Sequence, residues 1–114
     1  MSYDVYLRIN TGIDDTTVVD CGNYTGNIWE MYENAIPAVK EGIRGGLHRL
    51  HDMKAENTLS LLQKAVQLMQ DDKVFYRKFN PDNGWGNYEG ALKFLQNILE
   101  QCEIHPACTV YLSA

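Results

Sequence analysis

Residues 4–25 read DVYLRINTGIDDTTVVDCGNYT, and this stretch predicts a β-hairpin. In its first half Val5, Leu7 and Ile9 alternate with polar residues, which is the two-residue period of a strand with one covered face. The letters TGIDD then supply turn residues, and β-branched residues dominate the run that follows. The chain therefore begins with two antiparallel strands that need a core on one side.

Two later stretches have the spacing of amphipathic helices. The first is NTLSLLQKAVQLMQDD, residues 57–72, for which Asn57 or Thr58 is the expected N-cap. The second is YEGALKFLQNILEQC, residues 88–102, with Asn87 as its expected N-cap. Both apolar stripes are wide enough to cover a sheet.

The last residues, ACTVYLSA, alternate again and predict a third strand at the carboxyl end. The order is β-β-α-α-β, with a short or broken helix between the hairpin and the first long helix. We expect one α+β domain over residues 1–114. Its mainly antiparallel, three-stranded sheet has the last strand beside the first, and the two long helices pack on one face.

Composition and charge exclude several classes of function. The 114 residues carry 15 acidic and 10 basic side chains, a net charge of -5, which argues against direct binding of genomic DNA. The apolar runs are far shorter than the roughly 20 residues that span a bilayer, and the first residues lack the features of a secretory signal. We expect a cytoplasmic protein without membrane contact, whose three cysteines are free thiols.

The loop NPDNGWGNYEG, residues 80–90, is the first candidate site. Asn83 and the glycine after it suit a tight turn with positive φ. Trp85 allows two interpretations. Its ring would be buried and fasten the turn to the core, or it would stay accessible beside the amides and the start of a helix and recognise a base, sugar or phosphate group.

Two further clusters are candidate ligand-binding elements. One lies where the second strand meets the next helix, a junction type that often carries function, and the other combines cations with flexible glycines in residues 42–54. If the structure brings these segments and the tryptophan loop together, they form one pocket. The predicted ligand-binding residues are Asn23, Tyr24, Thr25, Asn27, Arg44, Arg49, Asn83, Trp85 and Tyr88.

Metal and catalytic chemistry have weaker support. His48 and His51 lack the spacing and the glutamate of a metalloprotease, so we expect surface histidines. A three-cysteine, one-histidine zinc site would use Cys21, Cys102, His105 and Cys108, but the cysteines lie mostly in core-facing patterns, where a thiol acts as a small hydrophobe. No catalytic motif is visible, so we expect neither an enzyme nor a bound cofactor or metal.

Three stretches resemble a group of small proteins encoded by bacteriophages and prophages. They are YDVYLRI, GNYTGNIWEMY and, most specifically, FNPDNGWGNYEGALKFLQNILEQC. The resemblance covers most of the chain and is loose over the glycine-rich middle. It brings no assigned activity with it. What it implies is a phage setting and a cytoplasmic accessory role.

Two classes of binding function fit these features. In the first, the polar and aromatic loops form a pocket that sequesters a nucleotide-like signal of host defence without converting it. In the second, clustered carboxylates mimic a row of phosphates, dock on a host defence protein such as a CRISPR nuclease and block its nucleic-acid channel. The carboxylates considered for that surface are Asp14, Asp15, Asp20, Asp71 and Asp72. A free edge of the sheet would also allow a homodimer.

Overall fold

A computed structural model describes residues 2–114 and confirms the predicted α+β fold. Short 3-10 turns at Gly26–Ile28 and Gly46–Leu50 flank the first helix and the connection that follows it. The strands and helices are β1 (Ser2–Asn10), β2 (Asp15–Thr25), α1 (Trp29–Ala35), α2 (Ala55–Asp71), α3 (Lys73–Arg77), α4 (Tyr88–Ile104) and β3 (Thr109–Ser113).

The sheet is antiparallel throughout, in the order β2-β1-β3, so the last strand pairs with the first as predicted. Leu7 lies opposite Val19 on one side and Val110 on the other. The register of β2 shifts twice against β1. At one shift Gly22 adopts φ +89°, and its N–H donates to the Asp20 carboxylate at 2.8 Å. These irregularities interrupt the outer edge of β2, one of the two edge strands of the sheet.

The core lies between the sheet and the two long helices. Tyr3, Val5 and Leu7 are buried on the helix-facing side of β1, and Val110 and Leu112 extend this surface on β3. The buried residues of the two long helices include Leu62, Ala65, Met69, Ala91, Leu95, Ile98 and Cys102. On the opposite face of the sheet Tyr6, Arg8 and Tyr111 are only half-buried. One face of the sheet is therefore covered by helices.

The predicted caps of α2 are wrong. The helix begins at Ala55, before Asn57 and Thr58, and its N-cap residue Lys54 makes no side-chain cap bond. The backbone supplies the missing acceptors instead, because the Ala55 N–H donates to the Cys108 carbonyl at 2.7 Å and the Glu56 N–H to the Pro106 carbonyl at 3.0 Å. A connection distant in sequence thus sets this helix start.

Strand and helix ends meet at one end of the molecule. The Tyr88 hydroxyl at the start of α4 donates to the Met69 carbonyl near the end of α2, so the two long helices run antiparallel. Ser2 and Thr25, which begin β1 and end β2, form a register pair, and the hairpin turn lies at the far end of both strands. In residues 2–114 no helix is long and apolar enough to cross a membrane.

Two isoleucines of α4 provide a test of this core. Ile98 is fully buried, whereas Ile104 is 58% exposed near the end of the helix. We expect Ile98→Ala to lower the free energy of unfolding by about 2–5 kcal/mol, because it removes buried methyl groups and leaves a cavity. The same substitution at Ile104 should change it by about 0.5 kcal/mol or less. Urea denaturation followed by circular dichroism measures both, and equal losses would contradict the assigned core.

Candidate functional site

An open cleft with a volume of about 700 Å³ lies where β2 ends and α4 begins. Two segments far apart in sequence form it, the end of β2 with the turn after it and the tryptophan loop before α4. The lining residues are Ser2, Asn23, Tyr24, Thr25, Asn27, Asn83, Trp85, Gly86 and Asn87. The structure therefore brings these two polar, aromatic segments together in one cleft, as expected from the sequence.

Tyr24 fastens the two segments to each other. Its hydroxyl accepts a hydrogen bond from the backbone N–H of Asn87 at 3.0 Å and lies 3.4 Å from the carbonyl oxygen of the same residue, to which it donates. The Tyr24 ring stacks on Phe94, with centroids 6.0 Å apart and planes 29° apart. One side chain thus connects the end of β2 to both the cap and the first turns of α4.

Gly86 and Gly90 make this approach sterically possible. A Cβ atom on Gly90 would overlap the Tyr24 hydroxyl, and one on Gly86 would overlap the Thr25 methyl group. Gly86 also has φ +93°, a conformation that L side chains rarely adopt. The glycine spacing around the tryptophan is therefore a requirement of the contact between the two segments.

The base of the tryptophan loop is closed by polar contacts. The Asn80 side-chain oxygen accepts from the Tyr88 N–H at 2.8 Å. The Arg77 guanidinium donates to the Glu89 carboxylate at 2.6 and 3.1 Å, which joins α3 to the first turn of α4. The loop between these contacts is consequently anchored at both ends.

Trp85 is 68% exposed at the rim of the cleft, so the interpretation of a core-filling ring is wrong. The loop carries the ring outward because it turns tightly. The Trp85 N–H donates to the Asn83 side-chain oxygen at 2.9 Å, and Gly84 has φ +76°, as the sequence predicts. An indole held by a fixed turn and left accessible is suited to stacking on a planar ligand.

Four asparagines place amides around the indole. The side-chain oxygen of Asn87 accepts from the Gly90 N–H at 2.7 Å, which confirms it as the N-cap of α4. Asn83 uses its oxygen in the turn, so both residues keep their amide nitrogens as free donors. Within residues 2–114 the side chains of Asn23 and Asn27 make no hydrogen bond. The cleft therefore offers unpaired donors and acceptors beside an aromatic plane.

Three of the predicted ligand-binding residues lie elsewhere. Tyr88 is only 2% exposed, because its ring belongs to the core and its hydroxyl bonds to Met69. Arg49 donates to the Pro37 carbonyl at 3.0 Å, and Arg44 approaches His48 closely enough to add to the burial that lowers the pKa of that histidine. None of the three lines the cleft. Packing in the core places Tyr88, and a local hydrogen bond holds Arg49. Neither contact could be predicted from the charge or aromatic character of the residue alone.

The cleft also includes residues that the sequence interpretation left out of the site. Ser2 enters because it pairs with Thr25 across the sheet, and Gly86 because the loop backbone itself forms part of the wall. Asn87 has both a capping and a lining role. The position of Asn87 directly before the helical pattern predicted only its role as an N-cap.

Among residues 2–114, no Lys, Arg, His, Asp or Glu lines the cleft. Its recognition chemistry is therefore that of amides, the hydroxyl groups of Ser2, Tyr24 and Thr25, and aromatic rings. A neutral, polar and partly planar group matches such a surface, whereas a phosphate would find no cationic partner in the lining.

The cysteines have the character of core residues. Burial raises the pKa of the Cys21 thiol to about 12, and it also raises the pKa values of Cys102 and Cys108. All three are buried and free. Across residues 2–114 no three His, Cys, Asp or Glu side chains lie close enough together to hold a metal ion. Thiols protonated at neutral pH are poor nucleophiles.

The five aspartates considered for a phosphate mimic lie in separate parts of the fold, and Asp20 lies within β2. Asp14 and Asp15 lie at the hairpin turn, whereas Asp71 ends α2 and Asp72 accepts from the Phe75 N–H as the N-cap of α3, near the cleft. A continuous row of these carboxylates is not formed.

Comparisons of the chain with protein-family models, curated proteins and solved structures gave no match.

The contact between Tyr24 and Gly90 can be tested with a double-mutant cycle. Gly90→Ala should lower the free energy of unfolding by about 1–3 kcal/mol, because the new methyl group overlaps the Tyr24 side chain. In a Tyr24→Ala background the same substitution should instead be neutral or stabilising by up to about 1 kcal/mol, since alanine is the better helix former. Urea denaturation of the four proteins gives the coupling, and additive effects would show that the two segments do not meet in this way.

Proposed function

We propose that this protein is a non-catalytic bacteriophage accessory protein that counters host defence by binding and sequestering a nucleotide-like signal molecule. The observation that carries the proposal is the accessible Trp85 ring beside four asparagine side chains in one cleft. The phage setting rests on the sequence resemblance alone. The binding role rests on the geometry of the cleft.

The cleft chemistry favours recognition of the base and sugar of such a ligand. Stacking of a base on an aromatic side chain contributes roughly 1–3 kcal/mol, and asparagine amides match the donors and acceptors of base edges and ribose hydroxyls. Because the described residues of the lining include no cation, the phosphate groups would extend towards solvent. A volume of about 700 Å³ is within the usual range for a small-molecule site.

Sequestration without conversion agrees with the same lining. Acid-base or nucleophilic catalysis uses groups such as imidazole, carboxylate, amine or thiol at hydrogen-bond distance from the reacting atoms. The described residues that line the cleft supply the hydroxyls of Ser2, Tyr24 and Thr25, but no imidazole, carboxylate, amine or thiol that would activate them. Their amides and aromatic faces hold a ligand in place and leave its bonds intact.

The acidic-inhibitor hypothesis has less support from the geometry. A phosphate mimic requires closely spaced carboxylates, and the hairpin aspartates and those at the end of α2 lie at opposite ends of the fold. Docking on a host defence protein through one of these ends remains the second candidate. It becomes the preferred function if the cleft binds no nucleotide-like molecule.

A thermal-stability screen against cyclic and linear nucleotide signals tests the proposal. A ligand present at one hundred times its dissociation constant should stabilise the fold by about 2.7 kcal/mol, seen as a higher melting temperature. The nucleoside corresponding to the best ligand should bind within about tenfold of the nucleotide, because loss of the phosphates removes no cationic contact in the cleft.

Two tryptophan variants provide the matched comparison. Trp85→Ala should remove the thermal shift while the fold is retained, and Trp29→Ala should keep it, because Trp29 is also partly exposed but does not line the cleft. If no member of the panel shifts the melting temperature and a host protein co-purifies in a salt-dependent manner, the inhibitor hypothesis replaces sequestration. Normal binding by a folded Trp85→Ala protein would remove the loop from the site.

A further inference from the structure

A second, smaller cleft of about 320 Å³ lies at the opposite end of β1 from the candidate site. Its walls come from the hairpin end of β1 and β2, from the start of β3 and from the segment before α2. The residues with polar or charged groups in this wall include Arg8, Asn10, Asp15, Asp52 and Thr109. The proposed sequestration function uses none of them.

Arg8 is held in position by aromatic rings. Its guanidinium carbon lies 3.6 Å from the centroid of the Tyr111 ring and 5.9 Å from that of Tyr6, on the face of the sheet that the helices leave uncovered. Such stacking orders the guanidinium and leaves its edge of N–H donors to other groups. This arginine is therefore positioned before any ligand arrives.

The guanidinium has no partner within the described chain. Its Nε atom is enclosed by protein without an acceptor, and in residues 2–114 the Arg8 side chain makes no hydrogen bond and has no carboxylate oxygen within 4.0 Å. Arginine at partly buried positions normally binds carboxylate or phosphate groups. A cation left unpaired in the wall of a cleft therefore points to an anionic group from outside the chain.

Two carboxylates line the same cleft as Arg8, at distances beyond direct pairing. Asp15 forms a register pair with Asn10, whose side-chain oxygen accepts from the Gly12 N–H at 2.7 Å. Asp52 has φ 68°, a conformation held by the bond from its N–H to the Val110 carbonyl at 2.9 Å.

His51 further fixes the rim at Asp52. Its Nε2 lies 3.5 Å from the Asp52 carboxylate, and its Nδ1 accepts from the Leu112 N–H at 3.0 Å. The imidazole also makes an edge contact with Tyr111. His51 is therefore more than the expected surface histidine, because its ring links the β3 backbone to a carboxylate of the cleft.

From this arrangement we infer that the cleft binds a small zwitterion, a free α-amino acid or a molecule with the same pair of groups. Its carboxylate pairs with Arg8, and its ammonium group lies towards Asp15 and Asp52. A simple anion would meet repulsion from the two carboxylates, and a simple cation would meet repulsion from Arg8. Only a ligand with both charges satisfies the two sides of the cleft.

NMR titration of the ¹⁵N-labelled 114-residue chain with each common L-amino acid, added singly, tests this inference. We expect at least one to cause saturable shifts of the amides of Asp52, Thr109 and Tyr111. The N-acetyl derivative and the carboxamide of that amino acid should each bind at least tenfold more weakly, because each lacks one of the two charges. Sodium acetate and inorganic phosphate should also bind at least tenfold more weakly.

Variants assign the binding to the named side chains. Arg8→Met and Asp52→Asn should each weaken binding at least fivefold, and two separate positions guard against loss of fold in one of them. Lys93→Met, which removes an exposed cation of α4 outside this cleft, should leave it unchanged. The inference is overturned if no amino acid shifts these amides, if acetate or phosphate binds as well as the zwitterion, or if a folded Arg8→Met protein binds normally. The nucleotide screen is independent of each of these outcomes.

Discussion

The contact between the Tyr24 side chain and the start of α4 is the constraint on which the candidate site depends. Tyr24 is the second-last residue of β2, and its hydroxyl bonds to the backbone of Asn87 at the N-cap of the last long helix. The hydroxyl can reach that backbone only because position 90 carries no side chain. A bond between residues 63 apart in sequence thus brings two polar loops together.

This constraint explains why the cleft is both ordered and accessible. The Asn87 side chain caps α4, the Asn83 side chain closes the turn, and these bonds leave the indole of Trp85 directed away from the core and 68% exposed. Ordering before binding matters because each side chain that is immobilised on binding costs about 0.5–1.5 kcal/mol of affinity. A pre-formed aromatic and amide surface avoids much of that loss.

Much of the fold could be predicted from the sequence because the apolar periods are strong. Alternation around Leu7 and Val110, and the stripes through Leu62 and Ile98, define strands and helices independently of tertiary contacts. The start of α2 could not be predicted, because its first N–H groups bond to Pro106 and Cys108, whose proximity is a result of folding. The sequence near a helix end thus predicts hydrogen bonds to nearby residues well, but it does not predict bonds to acceptors that are distant in sequence.

The candidate site shows the same division. The turn at Asn83 and the cap at Asn87 are local, and both were predictable from residue type and spacing. The burial of Trp85 depends on tertiary contacts with the rest of the chain. The periodicity of apolar residues does not predict those contacts. The pairing of Arg8 with Tyr111 was equally hidden, because the two residues are joined only through the β1 and β3 register.

Fluorescence of a Trp29→Phe variant tests most directly whether the Trp85 ring is accessible and binds a ligand. The chain has two tryptophans, so this variant retains only Trp85. With Trp85 exposed at the rim of the cleft, we expect the red-shifted emission of a solvent-exposed indole and efficient quenching by acrylamide. A nucleoside or nucleotide that stacks on the ring should reduce that quenching saturably. The blue-shifted emission of a buried indole in the free protein, or quenching that no nucleotide-like ligand changes, would contradict an accessible, ligand-stacking Trp85.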